Sequence, residues 1–251
     1  MITTLPVVVA VTAAKALLEL GFNWPGAVEF ADVGVVLTAG VFLTGFLLTG
    51  TMADYKEAEK LPGEVASTLE LLEEIMVLAS STRPTLQLPE LRKKVLVLTE
   101  SIQGWLFKKV TTPAMFESLT VFTAVLAQLE RDGAGPYASR AIPQLAGLRK
   151  TVARIDVISR TGFLPPAYAL LETLLGLILI LVVAAKYKSM LAEFILVPVL
   201  TLIYVYMLRL IKDVDDPFDY APDGSRRGGA EVELFPLEEY AGRLRERVKG
   251  E

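Results

Sequence analysis

Between Val33 and Met52 the chain carries about 20 consecutive residues without a charge, enough to cross a hydrocarbon core about 30 Å thick. The run passes without a break into Asp54-Tyr55-Lys56-Glu57-Ala58-Glu59-Lys60, which is mixed in charge and favours helix. A helix that begins in a membrane is therefore expected to continue into water. The rest of the composition agrees. Of 251 residues 53% are hydrophobic, and the mean hydropathy is +0.47, too apolar for an ordinary soluble domain. Long uncharged runs alternate with charged ones, as in membrane proteins.

Several function classes drop out early. A net charge of −4 offers no basic surface for nucleic acid. The chain has no Cys and no His, which removes disulfides, thiol nucleophiles, His bases and most zinc or transition-metal sites. No Ser-Lys or paired-carboxylate motif takes their place, so an enzyme is not expected, and neither is a cofactor. Met1–Pro6 has no Lys or Arg ahead of its apolar run and lacks the charged start of a cleaved signal peptide.

Four apolar segments can be placed. Leu5–Leu20 is interrupted by Lys15 and Glu19, and the turn residues of Gly21–Gly26 separate it from Val33–Met52, which suggests a helical hairpin. Leu164–Ala185 opens on Pro165-Pro166, suited to a first helical turn. Leu191–Ile211 follows the short turn Lys186-Tyr187-Lys188 and contains Pro198, tolerated in membranes where neighbours satisfy the freed carbonyl. The expected fold is all-α: four transmembrane helices in two pairs, residues 1–52 and 162–212. A helical domain, 53–161, is inserted between the pairs, and 213–251 forms a tail.

The insert reads as helices in water. Val65, Leu69, Leu72, Ile75 and Met76 make one stripe at helical spacing, and Leu91, Val95, Leu98, Ile102 and Leu106 make another. Pro62-Gly63 should kink or restart the helix, and Thr111 or Thr112 should cap one opened by Pro113. In the tail, Pro236–Val248 carries Leu237, Tyr240, Ala241 and Leu244 on one face, which needs cover from the insert, plausibly that of a neighbouring subunit. With four spans, Lys56, Lys60, Arg149, Lys150, Arg154, Arg160, Arg209 and Lys212 lie on one side, outvoting Lys186 and Lys188. The positive-inside rule then places both termini and the insert in the cytoplasm.

Two places carry a resemblance to the bestrophin family of ion channels. Phe42-Leu43-Thr44-Gly45-Phe46, followed by Glu57-Ala58-Glu59-Lys60-Leu61, looks like the pore helix and its cytoplasmic continuation in bacterial members. Val197-Pro198-Val199 and Asp216-Pro217-Phe218 look like the last span and the Pro-Phe signature of the tail. Met52-Ala53-Asp54-Tyr55 stands where the family usually has paired tryptophans, and Asp213, Asp215 and Asp216 precede the Pro-Phe instead of following it. The resemblance implies a homo-oligomer, a pentamer, passing monovalent inorganic ions through the membrane of a bacterium or archaeon. A non-conducting scaffold or sensor of the same fold is the alternative.

Within that frame, Thr38, Phe42 and Phe46 share a helix face by their i, i+4, i+8 spacing. The resemblance makes that face the pore lining, where apolar rings gate by dewetting; facing lipid or a neighbouring helix is the other reading. Gly34, Gly40, Gly45 and Gly50 allow close helix approach. Lys15 and Glu172, at similar counted depth, are expected to form an intramembrane ion pair, with Lys15–Glu19 or a Glu172 facing an ion path as alternatives. Asp213, Asp215, Asp216 and Asp219 could offer calcium its oxygen ligands, although no EF-hand spacing is present and such stretches are usually solvated.

Overall fold

The computed structural model describes residues 4–162 and 165–250, the Pro165 side chain excepted. Nine α-helices appear among them: α1 (Leu5–Ala16), α2 (Phe30–Ala58), α3 (Leu61–Thr82), α4 (Leu88–Leu106), α5 (Thr112–Leu129), α6 (Gly135–Arg160), α7 (Pro165–Ala184), α8 (Met190–Asp215) and α9 (Phe235–Gly250). A π-helical turn, Leu17–Gly21, ends α1, and another, Glu130–Ala134, joins α5 to α6. Leu164, where the sequence reading starts the third span, lies outside the described residues. The chain divides into two units, 1–53 with 162–215 and 54–161 with 216–251.

In the first unit α8 packs on α1 and α7, and α1 touches α7. α2 meets them along Val33, Leu37, Gly40, Thr44, Leu47 and Thr51, all buried and three or four residues apart. That spacing keeps one face of a 29-residue helix inward along its apolar length. Val33 and Leu37 pack with Ile178, Val182 and Tyr204, and Leu47 packs with Leu171 and Ile211. Three helices in the described residues are long and apolar enough to cross a membrane: the one that starts at Phe30, Pro166–Ala184 and Met190–Asp215. α1 has 12 residues and its π turn five more, together about 25 Å at 1.5 Å per residue.

A two-residue parallel pairing, Val28 with Ala185 and Glu29 with Lys186, ties the α1–α2 connection to the end of α7. The Ala27 amide adds a hydrogen bond, donating to the Ala184 carbonyl at 2.8 Å. Gly26 permits this approach: its φ is 116°, and a Cβ there would lie 2.8 Å from the Ala184 and Ala185 backbone.

The second unit is a closed square of helices. α3 touches α4, α4 touches α5, α5 touches α6 and α6 returns to α3. Both stripes read from the sequence face its core: Leu69, Met76, Val95 and Ile102 are fully buried. Thr111 caps α5, its hydroxyl accepting from the Ala114 amide at 3.4 Å, and α3 restarts at Leu61 with Pro62 in its first turn. α9 covers the α3–α4 edge of its own chain, which corrects the expectation of a neighbouring subunit. Leu237, Tyr240, Ala241 and Leu244 are buried there, and the Tyr240 hydroxyl donates to the Leu69 carbonyl at 3.1 Å. Glu73, almost wholly buried, meets Arg92 at 3.0 Å and Arg247 of α9 at 2.7 Å.

Candidate functional site

The face of α2 opposite its buried one is bare. Val35, Phe42 and Phe46 are 75%, 77% and 68% exposed, extreme values for large apolar side chains, and Thr38 and Thr49 are exposed with them. Thr38, Phe42 and Phe46, which the sequence places on one face, therefore do share it. The backbone lies three or four residues per step along this stripe, so the phenyl groups stand one turn apart. The Thr38 hydroxyl donates to the Gly34 carbonyl and the Thr49 hydroxyl to that of Gly45, both at 2.9 Å. Each hydroxyl oxygen keeps acceptor capacity beyond that bond, and along the helix the two threonines lie on either side of the two phenyl groups.

The opposite face fixes which way the stripe points. Gly40 lets α2 close on α7 and α8, since a Cβ there would meet the Ile178 Cδ1 at 2.5 Å and the Tyr204 ring at 3.1 Å. Tyr204 donates its hydroxyl to the Leu37 carbonyl one turn away. Gly34 and Gly45, by contrast, have open space where a side chain would go.

Lys15 and Glu172 are not brought together. Lys15 is 1% exposed; its ammonium donates to the Ala185 carbonyl at 2.9 Å and lies 3.8 Å from Glu19 and 3.9 Å from Glu193. Glu172 pairs with Lys212 at 2.5 Å. Counting residues from the start of each helix fails because the helices do not start level. Thr4, just before α1, accepts from Arg209 at 3.3 Å, which puts it near the end of α8 and one turn from Lys212. Eleven residues on, Lys15 lies roughly 16 Å deeper, level with the end of α7. Sequence reasoning missed Glu193; a carboxylate in the first turn of an apolar span was the available signal. Lys186, at the same end, pairs with Glu29 across the short strands at 3.6 Å.

The Pro-Phe signature holds the start of the tail. Pro217 and Phe218 are buried, the Val232 amide donates to the Pro217 carbonyl at 2.9 Å, and Phe218 joins the core of the second unit. Tyr220, nearby, donates to the Val232 carbonyl and stacks edge-on against Phe107. The calcium reading of Asp213, Asp215, Asp216 and Asp219 is not supported: among the described residues no three metal-ligating side chains gather to hold an ion. Asp219 is taken up by Lys108 at 2.5 Å and Arg227 at 3.5 Å.

No family model and no curated protein matches the sequence. Solved structures do. A bacterial bestrophin homologue from Klebsiella pneumoniae superposes with a TM-score of 0.80 at 12% identity, over 96% of this chain and 97% of its own. A substituted form of that homologue gives 0.82 at 12% identity over 99% of each chain. A structure described as a membrane protein also gives 0.82, again at 12% identity and 99% of each. The fold is thus that of the bacterial bestrophin homologues: an all-α protein with apolar helices, and the resemblance read from Phe42–Phe46 and Pro217-Phe218 holds at the level of the whole fold.

Proposed function

We propose that five copies of the chain assemble in a membrane as a channel for monovalent inorganic ions, with α2 of every copy lining the axis. The observation that carries this reading is the exposure of Phe42 and Phe46, 77% and 68%, on a helix whose other face is packed against its own chain. Brought to an axis, the two phenyl rings of each copy would stack into a constriction that water wets poorly. An ion entering it sheds hydration without finding replacement ligands. The Thr38 and Thr49 oxygens flank it and would return some coordination. In this reading the chain spans the membrane four times, α1 included, with both termini and residues 53–161 in the cytoplasm. The charges beside the spans support that orientation.

The test is planar-bilayer recording of the purified protein, preceded by its mass in detergent. Phe42→Ala and Phe46→Ala should raise conductance and loosen gating. Leu47→Ala, on the packed face, should act through stability alone, because Leu47 is only 6% exposed. A monomeric mass would overturn the reading. An oligomer that passes no ions would leave the same fold as a non-conducting scaffold.

A further inference from the structure

Lys15 sits where a lone ammonium would be costly, and its surroundings supply one acid too many. Its ammonium donates to the Ala185 carbonyl at 2.9 Å. Glu19 and Glu193 stand 3.8 Å and 3.9 Å away, near enough to balance its charge and too far to accept its protons. Glu193 is buried in the first turn of α8, and Oε2 of Glu19 is sealed from solvent with no donor in reach. The two carboxyls lie against each other, close enough for one to hydrogen-bond the other. Val11 and Val197, one turn away along α1 and α8, belong to the apolar core of the unit.

The other ionisable groups at this end are engaged elsewhere or solvated. Tyr187, its ring 5.5 Å from the ammonium, donates its hydroxyl to the Val182 carbonyl at 3.0 Å and packs on Phe30. Lys186 pairs with Glu29, while Lys188 and Asp32 are exposed. The last two turns of α7, Leu177–Ala184, are wholly apolar. One ammonium therefore faces two carboxyls. With both ionised, the cluster would carry a net negative charge and set acceptor against acceptor; a single proton removes both conflicts.

We propose that Glu19 and Glu193 hold one proton between them, and that this proton latches the end of α1 to the start of α8. Ammonium, carboxylate and carboxyl then sum to zero charge, and the carboxyl O–H donates to its neighbour. Because Lys15 also holds Ala185, the cluster reaches the short pairing of Val28 with Ala185. Release of the proton to water sets two like charges face to face and pushes the first turn of α8 away from the π turn. In the unfolded chain both carboxyls are solvated and ionised at neutral pH, so folding takes up a proton. Stability then falls as pH rises, by up to about tenfold in the folding constant per pH unit. In the orientation proposed above this end faces outside, so the pH that is sensed is the external one.

The experiment uses the full chain in detergent and reads the proton by infrared spectroscopy. At about pH 7 solvated carboxyls are ionised, so the wild type should show a protonated-carboxyl C=O band that shifts in D2O. The band should be absent from both Glu19→Gln and Glu193→Gln, present in Glu172→Gln, and lost as the pH is raised. No such band, or one that both Gln variants retain, overturns the proposal. Thermal melting tests the latch. The chain has no His, so between about pH 6 and pH 9 little besides its N-terminal amine otherwise titrates. Over that range the wild-type melting temperature should fall. That of Glu193→Gln, whose amide donates to Glu19 with no proton to lose, should hold steady. Equal falls overturn the latch, and Glu19→Gln gives the same reading if the Glu193 variant does not fold. A monomeric or non-conducting protein would sink the channel reading and leave both arms of this test intact.

Discussion

Tyr204 of α8 donates its hydroxyl to the carbonyl of Leu37 on α2, one turn from the glycine that lets the two helices meet. A tyrosine buried to 2% exposure in an apolar unit needs a partner for its hydroxyl, and this carbonyl is it. The bond can form only while Gly40 keeps α2 close. Rotation of α2 about its axis is fixed by the same contact, and so is the outward direction of Phe42 and Phe46.

Gly40→Leu should therefore cost more than a cavity or a surface change of similar size. The added side chain would meet Ile178 and the Tyr204 ring at once, and overpacking of this kind costs about 1–3 kcal/mol. Gly34→Leu, where nothing lies within 4 Å, should be tolerated by the protomer. Thermal melting in detergent separates the two, and equal losses would argue against close packing at Gly40.

Lys15→Met should destabilise by about 3 kcal/mol, since it leaves Glu19 and Glu193 facing each other without their cation. Adding Glu193→Gln should recover part of the loss, while adding Glu172→Gln should recover none. Melting temperatures of the three variants decide it. Recovery by the Glu172 change would restore the pairing that residue counting suggests.

Glu73 anchors α9 more than either of its arginines does. Its side chain is 2% exposed, against 16% for Arg92 and 38% for Arg247. Glu73→Ala removes the buried carboxylate that Arg92 and Arg247 share and should cost about 3 kcal/mol. Arg247→Ala removes a partly solvated partner and should cost about 1 kcal/mol or less. Protease sensitivity of the segment after Leu234 should rise in the same order; a larger effect from Arg247 would contradict it.

Tyr240 predicts an alkaline limit. Burial, and then the nearby Glu73 and Glu70 carboxylates, raise its hydroxyl above the ordinary value of 10.0. A raised folded-state value means that the unfolded chain loses this proton first, so the contribution is complete below about pH 10 and is lost as pH rises further. Tyr240→Phe should cost about 1 kcal/mol at neutral pH, for the bond to the Leu69 carbonyl. It should also make the melting temperature fall less between pH 10 and 11. A parallel pH profile for both proteins would count against it.

Periodicity made the second unit legible. Val65, Leu69, Leu72, Ile75 and Met76 repeat at helical spacing because one side of α3 is core along its whole length, and all five are buried. The bare stripe of α2 could be read too, since i, i+4, i+8 fixes a face whatever covers it. Partners between helices could not. The pairing of Lys15 depends on how far α1 is shifted along α7 and α8, and no residue count contains that shift. Likewise Val28 and Ala185 pair across two residues, too few for any alternation to show. The stripe of α9 shows that a cover is needed without showing whose helix supplies it.

The position of α9 in the chain also sets an order of events. The edge it covers belongs to α3 and α4, yet about 75 residues, including α7 and α8, separate α6 from α9. At roughly 5–20 residues per second, a ribosome needs about 4–15 s to supply them. During that interval α3 and α4 lack the cover that Tyr240 and its helix give beside Leu69 and Glu73. A chain that stalls before Leu237 never closes this edge. Until α9 arrives, the apolar surface of that edge is open to chaperones and proteases.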